Sequence, residues 1–279
     1  MRRVALRLLT VAVAVALSMQ TSSSPVLAAY AYSCGTGSVD TNWTVVDRAK
    51  SSPNITGVIG QATVRTLRPC TSPNSANWDI PWVLPANLQY DTTNADRIVQ
   101  IGFAKCGRPV ADGDCNGNIP NDGNLHFVYT ASDSSGGLLK LADGWYKAPI
   151  VGHEYRFKIV NGTDVWTYCI QDRTAGEGYD CHNTADTWTS GTYSWYGTET
   201  NNDNSQNGNS FNESELNIRW MQYQRSGTWY VVTDQADCMT LTTGVYPSYY
   251  HCQIVSTVDA DGDGVVNDNE TLWSHTHDH

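Results

Sequence analysis

Short segments of alternating apolar and polar side chains set the strongest limit on the fold of this 279-residue chain. Such segments are rich in β-branched and aromatic residues, which is typical of strands that bury one face. They lie at residues 44–46, 98–104, 125–130, 155–160, 165–170, 216–223 and 229–232. Beyond residue 29, no useful length of sequence has helical periodicity, and no repeat of about 20 to 50 residues is visible. We therefore predict an all-β protein built as one antiparallel β-sandwich.

Two turn sequences join neighbouring predicted strands into hairpins. The sequence Asn-Gly-Thr-Asp at residues 161–164 separates the segments 155–160 and 165–170. Asn-Gly between two such segments is a strong hairpin signal. The sequence Arg-Ser-Gly-Thr at residues 225–228 predicts a second hairpin between the segments that flank it.

The first 29 residues have the order of a secretory signal peptide. Three arginines precede the apolar run at residues 8–17, and small residues follow near residue 28. A run of ten residues is too short to span a bilayer. Cleavage after Ala28, Ala29 or Ala31 satisfies the pattern, and we adopt Ala29. We expect residues 30–279 to be secreted, with no membrane span.

Acidic side chains dominate the mature chain. Removal of the leader leaves 14 basic and 28 acidic side chains. Binding to nucleic acid or to anionic membranes needs clustered lysine and arginine, which this balance does not supply. We therefore expect no nucleic-acid partner, and we expect the secreted protein to be a monomer.

All eight cysteines follow the leader, which predicts four disulfides in an oxidising compartment. Eight cysteines allow 105 connectivities. Spacing favours neighbours in the sequence, and a zinc site is disfavoured because the chain has no C-x-x-C pair. The predicted pairs are Cys106 with Cys115, Cys169 with Cys181, Cys238 with Cys252, and Cys34 with Cys70.

Residues 259–270 have the pattern of a twelve-residue calcium loop. Calcium takes six to eight oxygen ligands, and carboxylates at alternate positions supply them while a glycine permits the sharp turn. The predicted ligands are Asp259, Asp261, Asp263, the backbone carbonyl of Val265, Asn267 through water, and Glu270 with both oxygens. The alternative is an acidic, solvated tail.

The loop resembles those of EF-hand, dockerin and thrombospondin type 3 modules over these twelve residues only. The preceding residues 254–258 favour a strand, and only residues 270–273 could begin an exiting helix. We therefore predict one sandwich domain over residues 30–255, followed by a short calcium-binding segment at residues 256–279.

Two short motifs resemble the strands that carry the catalytic pair of neprosin and of the fungal glutamic peptidases. They are Arg97-Ile-Val-Gln100-Ile-Gly102-Phe103 and Trp195-Tyr-Gly197-Thr-Glu199-Thr. In the fungal enzymes a glutamine stands at the place of Gln100, whereas neprosin has a glutamate there. Both families are secreted sandwiches. The resemblance therefore implies a concanavalin A-like jelly roll and an acid-active hydrolase, in which Glu199 activates water and Gln100 binds the oxyanion.

Aromatic side chains favour a different class of function. The chain has 10 tryptophans and 15 tyrosines, and rings on a sheet can stack on sugars. The candidates are Trp188, Tyr193, Trp195 and Tyr196, beside a long polar segment. We take extracellular recognition of a glycan or another surface polymer, including polypeptide, as the main hypothesis. The glutamic-peptidase-like hydrolase is the alternative.

The calcium loop gives a direct prediction. Because it is a single loop without a paired partner, we expect the mature chain to bind calcium with a Kd of roughly 10⁻⁴ to 10⁻³ M. Titration calorimetry with millimolar calcium should release or absorb measurable heat. An absence of heat would contradict the assignment.

Overall fold

The computed structural model describes residues 44–67, 69, 82–90, 97–107, 115, 118–133, 136–162, 165–185, 188–200, 216–232, 238–240, 250–255 and 272–277. All of them belong to the compact unit Ala31–His279. The leader, the calcium loop at residues 259–270, and Cys34 and Cys70 lie outside the described residues.

Fourteen strands are found in the described residues. They are β1 (Thr44–Thr63), β2 (Trp82–Gln89), β3 (Ile98–Lys105), β4 (Leu125–Asp133), β5 (Gly136–Leu141), β6 (Glu154–Asn161), β7 (Val165–Asp172), β8 (Asp180–Ala185), β9 (Gly191–Thr200), β10 (Leu216–Arg225), β11 (Thr228–Val231), β12 (Cys238–Thr240), β13 (Tyr250–Val255) and β14 (Leu272–His277). The predicted all-β class is confirmed.

The 20-residue strand β1 takes part in both layers of the fold. Its second half lies between β6 and β10, and β6 continues to β7 and β8, which makes the first layer. Its first half pairs with β9, and the order then continues through β2, β3, β4 and β5, which makes the second layer. Every pairing is antiparallel, as predicted.

Aromatic rings fill the space between the layers. The ring of Phe127 on β4 lies 4.9 Å from that of Tyr155 and 5.7 Å from that of Phe157, both on β6, in edge-to-face contacts. The hydroxyl of Tyr168 on β7 donates to the carbonyl of Thr130 on β4 at 2.9 Å. Each aromatic pair contributes about 0.5–1.5 kcal/mol beyond its buried area. These contacts hold the two layers face to face as a sandwich.

Both predicted hairpins are confirmed. Strands β6 and β7 pair up to Asn161 and Trp166, around the Asn-Gly sequence. Strands β10 and β11 pair up to Arg225 and Thr228, which leaves a two-residue turn rather than four residues. Both turn residues, Ser226 and Gly227, have positive φ, as a type I′ hairpin turn requires.

Two of the predicted disulfides are confirmed. Cys106 bonds to Cys115, and Cys169 bonds to Cys181 across the pair β7–β8. The side chains of Cys238 on β12 and Cys252 on β13 lie outside the described part, so that pairing stays a prediction.

Strand β14 begins at Leu272, where the sequence suggested the start of a helix. It pairs with β13 and with β10, so the end of the C-terminal segment joins the sheet. The physical reason is that tertiary pairing with two neighbouring strands outweighs weak local propensity.

Strand β2 contains a bulge at Pro85 that the sequence patterns did not predict. Val83 pairs with Phe103 and Ala86 with Ile101, so β2 has one extra residue there. Proline lacks a backbone N–H, and bulges are among the few places where a sheet accepts it.

Two glycines lie close to the backbone of the bulge. A Cβ on Gly102 would lie 1.8 Å from the carbonyl oxygen of Val83. A Cβ on Gly60, in the other layer, would lie 1.9 Å from the carbonyl oxygen of Pro85. Both positions therefore require glycine.

We expect Gly102→Ala to destabilise the fold by about 3 kcal/mol, because the new methyl group meets backbone rather than a movable side chain. Gly144→Ala is the matched control, since nothing lies within 4 Å of a Cβ there. Urea unfolding followed by tryptophan fluorescence measures both changes. Equal midpoints for Gly102→Ala and Gly144→Ala would contradict the tight approach of the bulge.

Candidate functional site

The second layer has two faces with different chemistry. Ile101 and Phe103 on β3 point into the core between the layers. Because strand side chains alternate, Gln100 and Ala104 lie on the opposite face, which we call the outer face. Val128 on β4 packs with Ala104 there, in a second hydrophobic cluster.

Four side chains form what we call the polar row of the outer face. Thr130 on β4 is in register with Gln100 on β3, Gln100 with Asn87 on β2, and Asn87 with Trp195 on β9. They are 5%, 4%, 2% and 6% exposed, respectively. Polar side chains are mostly exposed in proteins, and those that are buried normally have hydrogen-bond partners.

Two atoms of the polar row have no hydrogen-bond partner among the described residues. They are Oδ1 of Asn87 and Nε1 of Trp195, and both are buried. A buried polar atom without a partner costs about 1–3 kcal/mol. The fold therefore carries a local cost on the outer face, next to Gln100.

The backbone of Glu199 on β9 lies further along the sheet than that of Gln100 on β3. Backbone pairing puts Glu199 opposite Trp82, and Trp82 opposite Ala104. Gln100 is four residues from Ala104, which is about 13 Å along a strand. The side chain of Glu199 is outside the described part. Strand register thus keeps the backbone positions of the two predicted catalytic residues apart along the sheet.

An apolar cluster covers the end of the outer face where Glu199 lies. Trp82, Leu84, Ala104 and Val128 pack there against three residues of the disulfide-bonded loop. Those residues are Cys106, Cys115 and Ile119. The outer face therefore has a polar row at one end and a covered apolar cluster at the other.

The four aromatic candidates separate into two groups. The ring of Tyr193 is partly exposed on the outer face, 6.0 Å from the ring of Trp195. Trp188 and Tyr196, in contrast, are 3% and 0% exposed and belong to the main core. This corrects the expectation that all four rings are available. Trp188 packs on Trp166, and the Tyr196 hydroxyl donates to the carbonyl of Gln222 at 2.7 Å.

A histidine that the sequence analysis did not single out lies between two carboxylates. Nε2 of His126 is 3.1 Å from Oδ1 of Asp122, and Nδ1 is 3.4 Å from Oδ2 of Asp143. The side chains of His126, Asp122 and Asp143 line a cavity of about 430 Å³ together with Lys105. The two carboxylates contact opposite nitrogens of the ring, so they cannot converge on one metal ion. Among the described residues, no group of three suitable side chains is placed to hold a metal.

The connection between β5 and β6, residues 142–153, crosses from the second layer to the first and is held by ion pairs. Besides Asp143, it contributes Lys147, whose Nζ is 2.5 Å from Oε1 of Glu177 and 3.4 Å from Oδ2 of Asp172. Nδ1 of His153 lies 2.9 Å from the same Asp172 oxygen. We call residues 142–153 the crossing segment.

The carboxylate of Asp172 is fully buried and charged. Burial acts to raise its pKa, but the hydrogen bonds from His153 and from the backbone N–H of Ala175 more than offset this, so the pKa is lowered. Burial also raises the pKa of the nearby Tyr155 hydroxyl to about 12. The charge of Asp172 thus serves to hold the crossing segment.

Comparisons with known proteins give weak structural similarity. No family model matches the sequence, and no curated protein is significantly similar to it. The chain is similar in structure to Scytalido-glutamic peptidase with a peptide-based transition state analog. The sequence identity is 14%, the match covers 85% of this chain and 98% of that chain, and the TM-score is 0.48. It is similar to SCP-B, a member of the Eqolisin family of peptidases, in complex with the tripeptide Ala-Ile-His, with 13% identity, the same coverage and a TM-score of 0.44. These values carry no argument about function.

Where the structure describes the chain, it contains no helix of the length and apolarity needed to cross a membrane.

The Asp122 carboxylate provides a test of the His126 cluster. Burial acts to raise its pKa, but hydrogen bonds from Asn124 and His126 outweigh this and lower the pKa to about 2. A lowered pKa stabilises the folded state above the unfolded pKa of about 4, and this stabilisation is lost as the pH falls through about 2. We expect Asp122→Asn to destabilise the protein by less than about 1 kcal/mol near pH 5, because the carboxylate is partly exposed.

The difference in Tm between Asp122→Asn and the natural protein should shrink as the pH is lowered from 5 to 2. Asp180→Asn is the control, because Asp180 has no comparable hydrogen bonds among the described contacts. A difference in Tm that stays constant over this range would contradict the role of the Asp122 charge.

Proposed function

We propose that this chain is a secreted hydrolase of the glutamic-peptidase type, which binds an extended polypeptide on the outer face. The observation that supports this most directly is the position of Gln100, buried in the middle of the polar row. The motif around Gln100 was also the basis of the sequence resemblance. The need for Gly102 next to the Pro85 bulge explains part of that motif by packing.

The side-chain amide of Gln100 is suited to bind a developing oxyanion. When water attacks a peptide carbonyl, the carbonyl oxygen becomes negative, and an amide N–H placed near it donates a stronger hydrogen bond than in the ground state. Burial excludes water and strengthens this electrostatic contact. The proton that the general base took from water then moves to the leaving nitrogen as the C–N bond breaks.

The hydrolysis also needs a carboxylate that accepts a proton from water. Glu199 is the candidate from the motif resemblance, and it lies on the same strand as Trp195. Strand register leaves about 13 Å along the sheet between its position and that of Gln100, so its contribution is tested separately from that of Gln100.

Recognition of a glycan is a second candidate function. The partly exposed ring of Tyr193 on the outer face supports it, since an aromatic ring on a sheet face suits the apolar face of a sugar. This candidate needs no carboxylate at position 199 and no bond cleavage.

Secretion and calcium binding belong to the same proposal. The disulfides of the described residues are compatible with an oxidising compartment outside the cell. We propose that residues 259–270 bind calcium there, through the oxygen ligands that the sequence predicts. No step of the proposed hydrolysis involves this ion.

The proposal predicts that the mature protein, residues 30–279, cleaves casein and internally quenched peptides in acid, measured between pH 2 and 7. Gln100→Leu should lower kcat about 100-fold or more, because it removes the oxyanion donor. Glu199→Gln tests the role that the motif gives to this carboxylate: an amide is not a general base, so a drop in kcat of similar size would assign the general base to Glu199. Gln224→Leu, the same change as at Gln100 but in the first layer, should leave kcat unchanged.

Three outcomes are informative. No cleavage by the natural protein at any pH, combined with binding to a sugar array, would overturn the hydrolase in favour of the glycan-binding candidate. Cleavage that survives Gln100→Leu would refute the role of the polar row. Cleavage lost in Gln100→Leu but retained in Glu199→Gln would assign the carboxylate to another residue.

A further inference from the structure

The polar row contains one acceptor and one donor that are buried together without partners. Asn87 offers its Oδ1 as an acceptor, and Trp195 offers its Nε1–H as a donor. Native proteins pair nearly all buried polar atoms, so two unpaired ones on neighbouring strands need a physical reason. Neither atom belongs to the main core, since both side chains lie on the outer face.

The two side chains are neighbours. Asn87 on β2 is directly opposite Trp195 on β9, and residues opposite each other in an antiparallel pair have Cβ atoms about 4.5–5.5 Å apart. Gln100 is opposite Asn87 on its other side. The unpaired acceptor and donor therefore lie immediately beside the residue to which we assign the oxyanion.

We propose that Asn87 and Trp195 bind the backbone N–H and C=O of one substrate residue, next to the bond that is cleaved. The substrate N–H donates to Oδ1 of Asn87, and the substrate C=O accepts from Nε1 of Trp195. This rests on the proposed function and names its substrate as a chain of secondary amides.

The chemistry of the two atoms selects this class of ligand. In an extended polypeptide, the backbone N–H and C=O of one residue point to the same side of the chain, so two neighbouring side chains can bind both. An ester has the acceptor but lacks the N–H, so it would leave Oδ1 of Asn87 buried and unpaired. A site built to bind a polar group strongly rejects the analogue that lacks it.

Another tryptophan provides an internal control. Nε1 of Trp188 is also buried without a partner among the described residues, but Trp188 belongs to the core between the layers. Trp188→Phe makes the same chemical change as Trp195→Phe at a place that substrate does not reach. Its effect is expected on stability alone.

The experiment uses the mature protein and a peptide substrate in which each amide in turn is replaced by an ester. We expect one ester position beside the cleaved bond to raise KM about 10- to 100-fold in the natural protein. In Asn87→Leu, KM for the all-amide peptide should rise by a similar factor, and that ester should cause no further rise. Trp195→Phe should raise KM, and Trp188→Phe should not.

Peptide affinity, measured by calorimetry with the hydrolysis-impaired Gln100→Leu variant, separates this inference from the proposed hydrolysis. If the natural protein cleaves peptides but no ester position affects KM or affinity, the Asn87–Trp195 site is refuted while the hydrolase stands. If nothing is cleaved but the ester effect on affinity is present and disappears in Asn87→Leu, the site stands and the hydrolase is refuted. Should Asn87→Leu fail to fold, the ester series with the natural protein still decides whether the substrate N–H is bound.

Discussion

The close approach of the Pro85 bulge to Gly60 and Gly102 is the constraint on which the outer face depends. Side chains of a strand alternate between faces, so one extra residue reverses the faces of all residues after it. Because of the bulge, Leu84 and Asn87 lie on the same face even though three positions separate them. Without it, Asn87 would point into the core, and Gln100 would have no polar neighbour on β2.

The strand patterns predicted much of the fold, for reasons that are local. Strands β6 and β7 alternate cleanly and meet at Asn-Gly, so hydrophobic period and turn chemistry agree. Strand β2 was missed because Pro85 interrupts an apolar run, and the packing that accepts a proline there comes from residues distant in sequence. Strand β8 was missed because its side chains are polar and largely exposed, as suits an edge strand.

The candidate site was predicted in part. A short motif identified Gln100, whereas Asn87 and Thr130 became neighbours of Gln100 only through strand pairing, which no local pattern reveals. Among aromatic residues, composition could not separate Tyr193 and Trp195 from Trp188 and Tyr196. That separation depends on which face of the sheet, or which connection, carries each ring.

The crossing segment keeps an anchor on β7 in acid. Asp172 at the end of β7 is fully buried, and its carboxylate contacts both Lys147 and His153 of the crossing segment. Because the pKa of Asp172 is lowered, this carboxylate stays negative in mildly acidic water, where ordinary carboxylates begin to lose their charge. The ion pair with Lys147 therefore still ties the connection between the layers to β7 under those conditions.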